Sequence, residues 1–98
     1  MNIMKRAKAT HKLQIDNDRI RVIRWDFEKG AETGWHRHEM DYIVVPLTSG
    51  KLTAELPDGS EVVNDLTAGQ SYSRQEGVHH NIINSNDGPF SFIEIELK

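Results

Sequence analysis

The sequence predicts one all-β domain of the sandwich or barrel class. Turn-forming runs such as Ser49-Gly50, Thr67-Ala68-Gly69 and Asn86-Asp87-Gly88-Pro89 recur along the chain, which is typical of proteins built from short strands. The segments between them are rich in β-branched and aromatic residues, and none has convincing helical periodicity. Ninety-eight residues suffice for one small core. We therefore expect a β-barrel domain over residues 13–98, preceded by a basic arm over residues 1–12.

The first two expected strands carry irregularities. In the segment 19–27 the apolar phase shifts between Val22 and Ile23, which indicates a bulge or a strand covered on both faces. In the segment 35–47, Pro46 cannot donate a ladder hydrogen bond and therefore favours an edge or an irregular strand. The remaining strands are expected at 52–56, 61–66, 70–74, 79–84 and 90–97.

Composition and charge narrow the function classes. The chain has no cysteine and no apolar run that approaches the length of a membrane span, so we expect a cytoplasmic protein without a membrane partner. Residues 1–24 hold seven Lys or Arg against two Asp, whereas the rest of the chain is acidic. An acidic body repels phosphate, so nucleic acid is not an expected partner. The basic arm is expected to pack on the acidic body of a second subunit.

Three histidines have the spacing of a metal site. His36 and His38 lie two positions apart, and in an extended strand such residues project from the same face. A third imidazole, His80, follows in the second half of the chain. Three nitrogen ligands would leave positions on an ion open for water or substrate. The alternative is that these are surface histidines, and a register change of one residue would exchange His80 for His79.

The residues around these histidines resemble the two sequence motifs of the cupin superfamily. Residues 30–50 are similar to the first motif, with its glycines and the His-x-His pair, and residues 69–84 are similar to the second. The resemblance implies a double-stranded β-helix, the jelly-roll barrel of cupins, in which the two motif strands meet at one mouth. The spacing from Gly77 favours His80 over His79 as the third ligand.

Two positions depart from the cupin pattern. Tyr42 occupies the place of the usual glutamate ligand, and Gln75 replaces the proline of the second motif. A phenol is a poor ligand at neutral pH because its ordinary pKa is about 10. The fourth ligand is therefore left open among Tyr42, water or substrate, and Asp41, which a bulge could turn toward the site.

The resemblance extends to small single-domain cupins associated with β-alanine catabolism. That resemblance indicates a pathway more than a reaction, and our leading hypothesis is a metal-dependent enzyme, of dioxygenase or isomerase type, that acts on a small polar metabolite carrying a carboxylate. His36, His38 and His80 would hold a divalent transition metal, because imidazole suits Fe, Zn, Ni or Cu better than Mg or Ca. The alternative, favoured by the missing acid, is a binding or sensor protein without catalysis.

Four further residues and one strand complete the expectations. Tyr42 is the expected catalytic residue, and Tyr72, Arg74 and Asn84 are expected at the substrate pocket. Arg74 could pair with a carboxylate there, or it could point outward into water. Asn84 could instead satisfy hydrogen bonds at the end of its strand. A homodimer is expected because the apolar strand at 90–97 has a face that one small domain would struggle to cover.

Overall fold

The computed structural model of the protein describes residues 5–98. Across this range it contains strands, turns and loops but no helix, as the sequence predicts. No segment of residues 5–98 forms a helix long and apolar enough to cross a membrane. The strands are β1 (Thr10–Asp16), β2 (Ile20–Phe27), β3 (His36–Arg37), β4 (Tyr42–Pro46), β5 (Gly50–Glu55), β6 (Glu61–Leu66), β7 (Tyr72–Arg74), β8 (His79–Asn84) and β9 (Phe90–Leu97).

The strands form two antiparallel sheets that pack face to face. One sheet has the order β1-β2-β9-β4-β7, and the other has the order β3-β8-β5-β6. The β2–β9 ladder is continuous, so the irregularity expected between Val22 and Ile23 is absent from it. The register shift lies instead in β1, between Leu13 and Ile15. Val22 is nevertheless buried, on the face opposite Phe27.

The core lies between the two sheets and follows from strand alternation. In β9, Phe90 and Phe92 share a face and are almost fully buried, and Val44 on the neighbouring β4 lies on the same side. Phe27 on β2 pairs with Phe90. Leu52 closes the core from the second sheet. These side chains belong to the apolar core of the barrel.

The segment 35–47 divides between the two sheets. β3 pairs with β8 in the smaller sheet, whereas β4 pairs with β9 and β7 in the larger one. The chain crosses from one sheet to the other over residues 38–41. Pro46 lies at the end of β4, beyond its pairing with the short strand β7, so its missing N–H breaks no ladder there.

The basic arm leads directly into the first strand. β1 begins at Thr10, so the strand crosses the expected boundary between residues 12 and 13. Arg6 lies 3.0 Å from the carboxylate of Glu32, and Lys8 lies 3.9 Å from it. The arm therefore contacts the acidic body of its own chain, while residues 1–4 lie outside the described residues. The division into arm and barrel stays a prediction.

Candidate metal centre

Strand pairing brings the three histidines together. His36 on β3 pairs directly with His80 on β8. β3 ends at Arg37, but the backbone pairing continues: the His38 N–H donates to the Val78 carbonyl at 2.8 Å, and the His38 carbonyl accepts from Gly77 at 2.8 Å. His36 and His38 therefore share a face of an extended segment, as their spacing predicts.

The Nε2 atoms of the three rings converge. His38 Nε2 lies 3.1 Å from His36 Nε2 and 3.2 Å from His80 Nε2. Nitrogens at these separations, each about 2.1 Å from one ion, would subtend angles of roughly 95–100°. Within residues 5–98 these three histidines form a group of side chains able to hold a metal ion. The donor set therefore fits a transition metal with free coordination positions.

The backbone before β3 sets the tautomer of His36. Its Nδ1 lies 2.9 Å from the carbonyl oxygen of Gly34, which can only accept a hydrogen bond, so Nδ1 carries the proton. The lone pair of the neutral ring is then on Nε2, which faces the other histidines. Gly34 has a φ of +89°, a left-handed conformation that glycine adopts readily, and its N–H donates to the side chain of Asn81.

His38 is held by an aromatic ring and faces a carboxyl group. The ring of Tyr42 stacks on it, with centroids 3.8 Å apart and an interplanar angle of 17°. On its other nitrogen, His38 Nδ1 lies 3.4 Å from Glu94 Oε2. The opposite oxygen, Oε1, accepts a hydrogen bond of 2.9 Å from Trp25 Nε1. A chain of contacts thus runs from β2 through β9 to a candidate ligand.

Burial keeps the imidazoles neutral, which is the form that binds metal. Burial, together with the charge of neighbouring imidazoles, lowers the pKa of His38 to about 4 and that of His80 to about 3. Burial also lowers the pKa of His36. The contact between His38 and Glu94 is therefore one of a neutral ring with a carboxyl group. It is not an ion pair at neutral pH.

Glu94 is the site residue that the sequence motifs do not identify. It is buried on β9, in phase with Phe90 and Phe92, and burial raises its pKa to about 7. A charged residue on the buried face of an apolar strand is the signal that could have revealed it, because such groups are rarely buried without a partner.

Known proteins with similar sequences identify the family. The family model of the cupin domain matches residues 23–96. The beta-alanine degradation protein BauB of Pseudomonas aeruginosa is 47% identical over 93 residues, which cover 95% of this chain and 97% of that protein. The chain belongs to the cupin family. The resemblance of its two motifs to those of cupins is thereby confirmed.

Solved structures confirm the fold of this cupin. A cupin domain from Bordetella pertussis Tohama I is 56% identical, with a TM-score of 0.93 over 97% of this cupin and 98% of that chain. A Klebsiella pneumoniae protein with a double-stranded β-helix domain has a TM-score of 0.74 over 97% of this cupin and 81% of that chain. At 21% identity that second likeness shows the fold alone. The cupin is a double-stranded β-helix, as predicted.

A narrow cavity of this cupin opens onto the histidines. The cavity volume is about 40 Å³, so only a small ligand fits without rearrangement. Within residues 5–98 no Lys or Arg lines it, and Glu94 is its acidic group. Its other lining side chains are Trp25, Thr33, Tyr42, Val44, Leu52, Asn64, Tyr72, Ile82 and Phe92.

The expected pocket residues separate into two groups. Tyr42 and Tyr72 line the cavity. Burial raises the pKa of both phenols, so they stay protonated at neutral pH. Arg74 is exposed and stands over the outer side of Tyr72, with its guanidinium carbon 4.6 Å from the ring centroid. Asn84 does not line the cavity; its amide donates to the carbonyls of Glu28 and Gly88.

Two alternatives for ligands lie away from the histidines. Asp41 is exposed, and its carboxylate accepts a hydrogen bond of 2.8 Å from the backbone N–H of Glu76. It stabilises the turn before β8 and is not part of the histidine group. His79 is also exposed and contacts the ring of Trp35 at 5.6 Å. The β3–β8 register therefore turns His80 inward and His79 outward.

Proposed function

We propose that this cupin is a metal-dependent enzyme whose ion is held by His36, His38 and His80. The observation that carries the proposal is the convergence of three Nε2 atoms, two pairs of which lie 3.1 and 3.2 Å apart. Buried neutral imidazoles at this spacing suit Fe, Zn, Ni or Cu. Such an ion, when bound, supplies Lewis-acid or redox chemistry and open coordination positions.

The substrate we propose is a small polar metabolite with a carboxylate. The narrow cavity supports a small ligand, and the name of the similar Pseudomonas aeruginosa protein refers to beta-alanine degradation. Arg74, beside Tyr72 at the outer edge, would attract the carboxylate. Tyr42 would border the reacting group and supply a phenol O–H. The reaction class would be that of a dioxygenase or an isomerase.

The second candidate function is a metabolite-binding or sensing protein without turnover. Tyr42 favours it, because this residue occupies the place of the usual acidic ligand and its ring packs against His38. Thermal shift and turnover assays with a panel of small amino and carboxylic acids would separate the two functions. Turnover would support the enzyme, whereas stabilisation by a panel member without turnover would support the sensor.

Metal analysis tests the proposed site itself. Protein purified without a histidine tag from metal-replete cells should contain about one transition metal ion per chain. Changing His38 or His80 to alanine should remove most of the ion, because two imidazoles bind far more weakly than three. His79→Ala is the matched control: this histidine is next to His80 but exposed, so metal content should be unchanged. A metal-free native protein would contradict the proposal.

We also propose a cytoplasmic homodimer that needs no nucleic acid. The absence of cysteine suits a reducing compartment. Support for the dimer comes from the face of the larger sheet that points away from the core. Ile15, Val22, Ile95 and Ile43 lie side by side across four of its strands, in register. An apolar row of this kind is typical of a surface that a second subunit covers.

A further inference from the structure

The buried carboxylate of Glu94 has no place in the three-histidine ligand set. Its oxygens are not part of the group of atoms that could share one ion with the histidines. Yet Glu94 is only 7% exposed, and its carboxyl group lies between Trp25 and His38. Burying a carboxyl group costs free energy unless hydrogen bonds or a charged partner compensate for its lost hydration.

We propose that Glu94 is a positioning residue that keeps the proton of His38 on Nδ1 and so leaves the Nε2 lone pair free for the metal. The inference rests on the proposed function, since it assumes that His38 is a ligand. A carboxylate behind a metal-bound histidine orients the ring and makes it a stronger base. Here the carboxylate comes from the last strand, not from the position that Tyr42 occupies in the first motif.

His38 has two competing tautomers, and its surroundings stabilise both. With the proton on Nε2, the ring can donate to the unprotonated His36 Nε2, 3.1 Å away, and then cannot bind an ion. With the proton on Nδ1, the N–H faces Glu94 Oε2, 3.4 Å away, an electrostatic contact that is longer than an ordinary hydrogen bond. A carboxylate attracts an N–H more strongly than a neutral acceptor does. Glu94 therefore shifts the balance toward the metal-binding tautomer.

For His36, the group that fixes the tautomer is the backbone carbonyl of Gly34, whose orientation is set by the chain itself. Glu94 is a rotatable side chain, so a partner must fix its orientation. Trp25 Nε1 donates only, and it engages Oε1 at 2.9 Å, which leaves Oε2 toward His38. The indole thus determines which oxygen faces the imidazole.

Glu94→Gln tests the inference with almost no change in shape. A glutamine has one oxygen, and Trp25 holds that position, so its NH₂ group would face His38 Nδ1 and donate to it. The proton of His38 should then move to Nε2. We expect side-chain ¹⁵N spectra of metal-free protein at pH 8 to show this change, and the dissociation constant for Zn²⁺ to rise about 10- to 100-fold.

A matched control and a rescue separate this role from a general effect on folding. Glu96→Gln makes the same chemical change two residues along β9, where the carboxylate faces Arg21 at 3.8 Å, and it should leave both readouts as in the native protein. Adding Trp25→Phe to Glu94→Gln removes the indole donor, so the amide can turn its oxygen to His38. This double variant should recover the Nδ1 proton and most of the Zn²⁺ affinity.

Three results would overturn the inference. The first is native protein with the His38 proton on Nε2. The second is a Glu94→Gln variant that keeps the native tautomer and a dissociation constant within twofold of the native value. The third is a Glu96→Gln variant that loses as much Zn²⁺ affinity as the Glu94→Gln variant does. Native protein that takes up no Zn²⁺ would instead contradict the proposed function, and the metal-free spectra would still decide whether Glu94 sets the tautomer.

Discussion

Replacing Asn84 should weaken the whole barrel and leave metal binding almost unchanged. The amide of Asn84 donates to Glu28 O at 3.0 Å and Gly88 O at 2.9 Å. Its oxygen accepts from the backbone and side chain of Asn86, at 3.0 and 2.7 Å. One buried side chain thus joins the loop before the histidine motif to the turn between β8 and β9.

The expected loss follows from these four hydrogen bonds. At about 1 kcal/mol each, they contribute roughly 4 kcal/mol, and water at the partly exposed turn would recover about 1 kcal/mol of it. Asn84→Ala should therefore lower the free energy of unfolding by about 3 kcal/mol, which corresponds to roughly 12–24 °C in Tm for a domain of this size. Asn84→Asp should be worse, because a carboxylate cannot donate to carbonyl oxygens.

Urea unfolding of metal-free protein, followed by tryptophan fluorescence, measures this loss. Asn64→Ala is the control, since Asn64 is half-buried in a strand and makes no side-chain hydrogen bond within residues 5–98. It should change stability by less than about 0.5 kcal/mol. An Asn84→Ala variant as stable as the control, or one that loses metal affinity without losing stability, would refute this account of the residue.

Two further predictions concern acid and association. Metal-free protein should lose stability as the pH falls from 7 to 5. The folded pKa values of about 4 for His38 and about 3 for His80 keep both rings neutral in this range, whereas unfolding lets them take up protons. Each ring therefore lowers the free energy of unfolding by about 2 kcal/mol over this range. Glu94, with a folded pKa of about 7, takes up its proton in the folded state first, which raises the free energy of unfolding by about 2 kcal/mol. Urea titrations should therefore show a net loss of about 2 kcal/mol. Equal stability at both pH values would contradict this prediction. Light scattering should give about twice the chain mass of 11.2 kDa, and Ile95→Lys, in the middle of the apolar row, should yield folded monomer. A native monomer at micromolar concentration would refute the dimer.

Much of the site could be predicted from local pattern alone. His36 and His38 are close in sequence, so a short extended segment is enough to turn both toward one side. His80 was identified through its spacing from Gly77, because the spacing within a sequence motif reflects a shared backbone conformation. The all-β class followed in the same way, from turn residues whose conformational preferences act over four or five positions.

Other features depended on contacts between distant strands. Nothing near Asn84 in sequence distinguishes a pocket residue from one that binds loop carbonyls, since Glu28 lies more than fifty positions away. The division of residues 35–47 between two sheets is equally non-local, because it depends on which strand each half pairs with. Arg74 shares a phase with Tyr72, as expected, but its guanidinium stacks over the Tyr72 ring and donates to the Ser73 carbonyl, and it does not line the cavity.

Local chemistry was therefore sufficient to specify the class of fold, the three imidazoles and the absence of the usual acidic ligand at Tyr42. Only the tertiary structure identified the carboxylate next to His38. In it, β9 lies between β2 and β4, and this position places Glu94 beside the imidazole of His38 and the indole of Trp25. The physical reason is range: turn preferences and side-chain alternation act between neighbours in the chain, whereas a partner for a buried charge is supplied by whichever strands pack together.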